Sequence, residues 1–222
     1  MIDIDNLVIE VTRRCNMLCP HCLRGDQQEK DISFEVLQKI ADTFGYISTI
    51  AFTGGEPSLN SWAIDKFIDL CRSQEVGIGS FYIATNGKKY SDRFLKSLMN
   101  LWIYCDDNEV SQVTVSRSDF HEDQDEREIE KIKCFRFVDE RENLTEKYLI
   151  AEGRALDNFY CRINREPDKF EIEDDQIIGG SLYITVDGDI IPGCDFSYDR
   201  MEEEKVGNIL KDDIMEVLPI EN

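Results

Sequence analysis

The stretch LVIEVTRRCNMLCPHC, residues 7–22, decides how the rest of the chain is read. Leu7–Thr12 is a short apolar and β-branched run, the pattern of a buried strand. Directly after it stand Cys15, Cys19 and Cys22. Three thiols this close on one loop can fold around a single inorganic centre, because thiolate is a preferred ligand of both iron–sulfur clusters and zinc. A four-iron cluster needs four ligands and this loop offers three, which would leave one iron open to bind a substrate. Two other readings stand beside that one. His21 completes a Cys₃His set of the kind that holds zinc, or the thiols carry no metal at all. His21 immediately precedes Cys22 and would crowd a chelate there, so packing against a cluster suits it better than ligation.

Outward from this loop, short apolar runs alternate with helical patterns, which predicts βαβ units and a parallel sheet. Ser33 can cap a helix whose apolar positions are Val36, Leu37, Ile40, Ala41 and Phe44, stopping at Gly45. Ile47–Thr53 reads as a second strand, and a helix from about Ser61 places Ala63, Ile64, Phe67, Ile68 and Cys71 on one face. Phe81–Ala84 reads as a third strand, Ser91 opens the longest helix, and Val113–Val115 reads as a fourth strand. An acidic stretch over residues 121–130 is a solvated helix face or loop. Phe135–Val138 is the expected fifth strand and Tyr148–Ile150 a candidate sixth. Residues 151–180 look irregular. Leu182–Ile191 then reads as a hairpin turning at Asp187-Gly188, and a short helix near Asp212–Leu218 follows. A complete eight-unit barrel takes about 250 residues, so five or six units with a small tail fit this chain better. Chemistry is then expected at the C-terminal ends of the strands, where the βα loops gather.

The 222 residues carry 46 acidic and 25 basic side chains, a formal charge of −21. Such an excess repels a phosphate backbone and an anionic membrane, so neither nucleic acid nor membrane is an expected partner. Arg13, Arg14 and Arg24 bracket the cysteine loop and form the one basic exception, the expected docking point for an acidic electron carrier. No run approaches the roughly 18 apolar residues of a membrane span, and the N-terminus lacks the basic and apolar regions of a secretory signal. Eight cysteines without an export signal point to thiols or metal ligation in a reducing cytoplasm. Cys71 and Cys105 fall on helical apolar faces and read as core residues.

Further motifs stand at the strand ends. Thr53-Gly54-Gly55-Glu56-Pro57 closes the second strand. Its paired glycines let backbone approach a ligand closely, and Glu56 offers a carboxylate to an ammonium group, although a tight turn before a helix explains the same residues. Thr85-Asn86-Gly87 closes the third strand, again with a plain turn as the alternative. Ser116, Asp119 and His121 follow the fourth. His121 is one of two histidines and suits a general acid or base, with solvent-facing or helix-capping roles as the simpler alternatives. Gly153-Arg154-Ala155 sits where the barrel should end.

The C-x₃-C-x₂-C spacing on the loop after the first strand, with GGEP after the second, resembles the radical S-adenosylmethionine (SAM) superfamily over roughly the first two thirds of the chain. His21 stands where that family often has an aromatic residue. The resemblance implies a partial (β/α)6 TIM-like barrel over residues 1–155. It also implies that Cys15, Cys19 and Cys22 hold a [4Fe–4S] cluster whose open iron binds the amine and carboxylate of SAM. By the same resemblance Gly54, Gly55 and Glu56 receive the methionine amino group, and Thr85 and Asn86 lie near the methionyl portion. Ser116 meets the ribose, with Asp119 as second choice. Arg154 contacts a substrate or SAM carboxylate, with a structural salt bridge as the equal alternative.

Residues 156–222 resemble a shortened SPASM or twitch extension, through Cys161, the hairpin ending at Cys194, and Val206–Ile209. Five residues separate Gly188 from Cys194 where the family usually has four, and no cysteine follows. Even with Cys134 as a possible third ligand, a second cluster is poorly supplied, and a vestigial tail that caps the barrel and shapes its pocket is the expectation. The implied activity is reductive cleavage of SAM to a 5′-deoxyadenosyl radical, fed by a flavodoxin- or ferredoxin-type donor. The tail points to a peptide or small-protein substrate, although a peptide-docking domain would then be expected before the first strand. The alternatives are a small molecule or nucleotide, activation of a glycyl-radical partner, and a non-catalytic iron–sulfur carrier or sensor.

Overall fold

The computed structural model describes residues 1–121, 123–141, 149–161 and 163–220. Five parallel strands lie side by side in chain order: β1 (Ile2–Thr12), β2 (Phe44–Gly54), β3 (Gly77–Thr85), β4 (Gln112–Ser116) and β5 (Val138–Arg141). Parallel neighbours need a crossover, and the helices α1 (Phe34–Thr43), α2 (Ser61–Gln74), α3 (Asp92–Tyr104) and α4 (Glu126–Ile132) provide them. Three of them, α1, α3 and α4, begin at a side-chain cap. Ser33, Ser91 and Asp125 turn their side-chain oxygens onto the backbone N–H groups of Val36, Phe94 and Arg127, which satisfies donors left free by the first helical turn. α1 buries Val36, Leu37, Ile40 and Ala41, the stripe its periodicity predicts, and Phe44 opens β2 directly rather than closing the helix. This is the mixed α/β parallel sheet of a partial barrel, with small C-terminal antiparallel strands beside it.

Three elements depart from the expected bounds. β1 begins at Ile2, not Leu7, although Asp3, Asp5 and Asn6 read as loop. These side chains serve the far end of the chain: Asn6 Nδ2 donates to the Gly180 carbonyl, and Gln176 Nε2 donates to Asp5. β5 covers Val138–Arg141 instead of Phe135–Val138. The alternating aromatics that mimic a strand are stacked on one another, Phe135 on Phe137 at 5.2 Å between ring centres, with Trp102 against Phe137 at 5.7 Å. The true strand is charged, as suits a sheet edge. The candidate sixth strand begins outside the described residues, and its described end, Ile150, makes one parallel bridge to Ile163.

Beyond residue 150 the chain is more regular than its sequence suggests. α5 (Gly153–Asn158) is followed by a small hairpin, β6 (Glu171–Glu173) and β7 (Gln176–Ile178). The expected hairpin forms as β8 (Leu182–Ile184) and β9 (Asp189–Pro192), with α6 (Tyr198–Glu204), β10 (Gly207–Asn208) and α7 (Ile214–Val217) after it. β8 pairs in parallel with β1 at Leu7, Val8 and Ile9, so the tail strands extend the same sheet past its first strand. Cys71 and Cys105 are buried in the core, as expected. No helix among the described residues is long and apolar enough to cross a membrane.

Candidate active site

The C-terminal ends of β1–β4 carry the predicted motifs to one end of the sheet. Residues 13–32 leave β1 and return beside it, with Arg13 N–H donating to Lys30 O and Ile32 N–H to Val11 O. The three thiols sit on this loop, each half-buried and free of disulfides, and all three line a pocket of about 120 Å³. The loop is clamped from the far side of the molecule. Arg154 N–H donates to Cys22 O at 2.9 Å, Arg154 Nε to Cys19 O at 3.0 Å, and Asn158 Nδ2 to Pro20 O at 3.0 Å. Gly153 makes the clamp possible. Its φ is +50°, and a Cβ there would come within 2.5 Å of Gly25 N and of Leu23 O, both backbone atoms. Of the two readings of Arg154, a ligand carboxylate or a structural salt bridge, the structure shows the salt bridge, to Asp26 at 3.1 Å, beside its hold on the cysteine loop.

The paired glycines of the second strand end serve contact between strands. A Cβ on Gly54 would lie 1.9 Å from Thr12 O and one on Gly55 2.3 Å from Arg14 O, so only glycine lets the ends of β1 and β2 approach so closely. Gly55 also lines the pocket. Glu56 is 1% exposed, and its carboxylate is fully engaged. It accepts from Ser58 N–H at 3.0 Å, Thr85 Oγ1 at 2.7 Å and Asn86 N–H at 2.8 Å. Burial raises its pKa, opposed by these hydrogen bonds. Glu56 and Thr85 thus tie the ends of β2 and β3 together and face each other, where a direct hold on an ammonium group was expected. Asn86 does reach the pocket, its Nδ2 donating to Asn16 Oδ1 at 2.8 Å and lying 3.9 Å from Cys15 Sγ.

After β4, Ser116 O accepts from Gln124 Nε2, which also donates to Asn86 O. Asp119 is exposed. His121 lines the pocket, its Nδ1 2.8 Å from Ser118 Oγ, and its ring meets His21 edge-on at 4.7 Å between centres. His21 also packs on Phe120. Burial lowers the pKa of both rings. That of His21 falls to about 4 through burial first, then His121 and Arg154, so both are neutral near pH 7.

The donor set suits a cluster better than one ion. Burial, reinforced by the two neighbouring thiols, pushes Cys19 up to about 11, and burial raises Cys15. Thiols so placed stay protonated until a cation compensates them, as an iron centre does. Three thiols on one loop supply three of the four ligands that a [4Fe–4S] cluster takes. Among the described residues no three His, Cys, Asp or Glu side chains are grouped to hold a metal ion. The same observation covers Cys134, Cys161 and Cys194: Cys134 is exposed at the end of α4, Cys161 Sγ faces Ala155 O, and Cys194 faces Asp195.

Several residues at the site escaped sequence reasoning. Glu10 and Arg13 are buried together, at 0% and 2% exposed, with Arg13 Nε donating to Glu10 Oε2 at 2.9 Å. Tyr183 Oη and Val186 N–H donate to the same carboxylate. A charge inside an apolar strand with an arginine three residues on was the available signal. The basic surface expected of Arg13, Arg14 and Arg24 does not form. Arg13 is internal, Arg14 pairs with Asp31 at 2.9 Å, and Arg24 lies over the Tyr183 ring and donates to Phe196 O.

A parallel, partly closed barrel with three thiols on the loop after its first strand defines a class of cofactor-dependent enzymes. The chain belongs to the Radical SAM superfamily, whose sequence profile matches residues 9–138. It is therefore a radical SAM enzyme, and its cofactors are a [4Fe–4S] cluster and SAM. An uncharacterized protein of Methanocaldococcus jannaschii is 30% identical over 106 residues, 46% of this chain and 37% of that one. The tungsten-containing aldehyde ferredoxin oxidoreductase cofactor-modifying protein of Pyrococcus furiosus is 31% identical over 103 residues, 44% of this chain and 28% of that one. The match thus spans 37% of one curated relative and 28% of the other. Among solved structures, native anSMEcpe with bound AdoMet and Kp18Cys peptide superposes with a TM-score of 0.60, covering 97% of this chain and 80% of that one at 17% identity.

Proposed function

We propose that Cys15, Cys19 and Cys22 ligate three irons of the cluster, and that SAM docks at the fourth against the ends of β2, β3 and β4. The proposed reaction is hydrogen abstraction from a peptide or small protein. The observation that carries the cluster assignment is the arrangement of three half-buried thiols of one loop around one pocket. When bound, the reduced cluster supplies the electron that breaks the sulfonium C–S bond, giving a 5′-deoxyadenosyl radical that takes the substrate's hydrogen.

The chain's own residues hold this arrangement together. Arg154 and Asn158 fix the cysteine loop. Glu56, through Thr85 and Asn86 N–H, fixes the turn that presents Gly54 and Gly55. Asn86 faces the methionyl portion, and Ser116, then Asp119, serve the ribose. His121, neutral near pH 7, is the base available at the pocket wall. Residues 1–155 form the catalytic core in this proposal, and 156–222 an extension that shapes the pocket without a cluster of its own. A cytoplasmic flavodoxin or ferredoxin supplies the electron.

The resemblance in fold to an enzyme with a peptide bound supports the peptide substrate. The Pyrococcus relative, named for modifying a cofactor, supports a second reading in which the substrate is a small molecule. Anaerobic reconstitution with iron and sulfide, followed by SAM and dithionite, should release 5′-deoxyadenosine. No release would sink the catalytic reading. A short reading frame beside the gene would supply the peptide to add, and a mass change in it would decide between the two substrates.

A further inference from the structure

In a chain of formal charge −21, the described wall of the pocket carries three arginines, Arg13, Arg24 and Arg154, and neither aspartate nor glutamate. Arg154 is spent on Cys19 O and Asp26, and Arg24 Nη1 donates to Phe196 O. Arg13 has a donor to spare. Its Nε serves Glu10 and its Nη1 serves Gln28 Oε1, but its Nη2 is buried with no partner. The ring of Tyr198 lies 4.5 Å from the same guanidinium, and the Tyr198 hydroxyl is likewise buried without a partner. These side chains are 2% and 4% exposed, so bulk water does not serve them. Glu10 does not answer them either: its carboxylate accepts from Arg13 Nε, Tyr183 and Val186 N–H, and neither Arg13 Nη2 nor Tyr198 Oη reaches it. Buried donors are nearly always paired, so two that are unpartnered at the wall of one pocket call for an explanation.

We propose that Arg13 Nη2 and Tyr198 Oη form a subsite for a carboxylate of the substrate. This deepens the proposed function and rests on it. Two donors of this kind, one of them charged, match the two oxygens of a carboxylate and leave a phosphate under-served. SAM also bears a carboxylate, but in the proposed function that group is held at the open iron. Gly55, Asn86, Arg13 and Tyr198 line one pocket, with Arg13 turned toward the Tyr198 ring of α6. A substrate held there shares the pocket of the cysteine loop with SAM. Its acidic group is a side chain or C-terminus of a peptide, or the acid of a small molecule.

The test uses cluster-loaded protein with saturating SAM and trifluoroacetate as the probe, followed by fluorine NMR, with trifluoroethanol as the neutral control. Saturable broadening of trifluoroacetate alone is expected. Tyr198→Phe removes only an unpartnered hydroxyl, so its melting temperature should equal or exceed that of the wild type. Its trifluoroacetate affinity should fall by roughly tenfold, the effect of one hydrogen bond to a charged group. Arg13→Gln should abolish the broadening, and the tyrosine variant keeps the test alive if that protein fails to fold. SAM affinity should be unchanged in Tyr198→Phe. Unchanged trifluoroacetate affinity in Tyr198→Phe overturns the subsite, as does a lowered melting temperature, which would reveal a structural partner for the hydroxyl. A parallel loss of SAM affinity would assign the donors to SAM's own carboxylate and also overturn the proposal. Protein that takes up neither cluster nor SAM instead sinks the proposed function, and the probe titration still reads the subsite.

Discussion

Replacing Glu56 with alanine removes the carboxylate that joins three segments at the mouth of the barrel. Three donors lose their acceptor: Ser58 N–H, Thr85 Oγ1 and Asn86 N–H. An orphaned buried donor costs about 1–3 kcal/mol. Thr85 keeps a long contact to Tyr90 Oη at 3.4 Å, and Asn86 is half-buried and open to water, so those two sit at the low end. Deleting the buried charge returns part of the loss, because burial already disfavours the ionised form. The net is about 3–5 kcal/mol, the range for breaking a buried charged network. In a chain of this size 1 kcal/mol moves Tm by about 2–4 °C, so Glu56→Ala should melt on the order of 10 °C lower. It should keep the brown colour of the cluster and bind SAM more weakly, because the Gly54-Gly55 turn is released.

The sign of the pH dependence checks the same reasoning. The native carboxyl binds its proton more tightly than the unfolded chain does. From the ordinary value of 4.5 up to the raised native pKa, the native state therefore holds a proton that the unfolded state has lost, and stability falls as pH rises. Glu56→Ala should flatten that slope. Calorimetry of anaerobic, cluster-loaded protein across this range measures both effects. A Tm within about 2 °C of the wild type, with SAM affinity lost, would show that Glu56 acts as a ligand only and refute its structural role.

Alanine at Cys15, Cys19 or Cys22 should each abolish the visible absorbance of the reconstituted cluster, and colour surviving in all three would refute the ligand assignment. Gly153→Ala, pressed onto the backbone at Gly25 and Leu23, should lower iron content per chain while far-UV circular dichroism is unchanged; wild-type iron content would show that the clamp is dispensable. Glu140 is held below the ordinary carboxylate value chiefly by Lys133, then Arg117, so its contribution is present above the unfolded value and lost as pH falls through the native one. Amide protection factors at β5, taken against the intrinsic rate at each pH, should accordingly fall below about pH 4.5 before those at β2 do, and a simultaneous fall would count against that anchor. Because no free basic patch surrounds the cysteine loop, reduction by an acidic flavodoxin should speed up as salt screens mutual repulsion; a rate that falls with salt would reveal an attractive surface elsewhere.

The crossover helices and the inner strands were legible because burial imposes a period on the residues that make them. Val36, Leu37, Ile40 and Ala41 can face the sheet only from a helix, and the polar caps Ser33 and Ser91 mark its starts. Elements at the rim carry no such period. The first residues of β1 are polar because their side chains bond to residues 176–180, a contact that no local pattern announces. The β6–β7 turn uses Asp174 and Asp175, both at positive φ (+45° and +66°), where glycine or asparagine would have been the signal. At the site, the cysteines and glycines were visible as types at a spacing. The duty of Glu56 was not, because whether a carboxylate faces a ligand or its own chain is set by the distance between two strand ends.

The structure shows what holds the tail to the barrel. β8 takes the open edge of β1, and three carboxylates reach from the first strand and from the residue before α5 to tail donors. Asp5 accepts from Gln176 and Gly179 N–H, Glu10 from Tyr183 and Val186 N–H, and Glu152 from Ser197 N–H and Arg200. These bonds lie beside an apolar contact in which Leu182, Ile184, Ile190 and Ile209 join the core of Leu7, Ile9 and Val36. The hydrogen-bond network also explains why Glu10 tolerates complete burial, since its charge is shared by Arg13 and two neutral donors. The same network turns Arg13 toward Tyr198, so the contacts that fasten the tail also set the two unpartnered donors of the pocket. Fastening and recognition are thus carried by one set of residues, and a change at Glu10 cannot alter the first without disturbing the second.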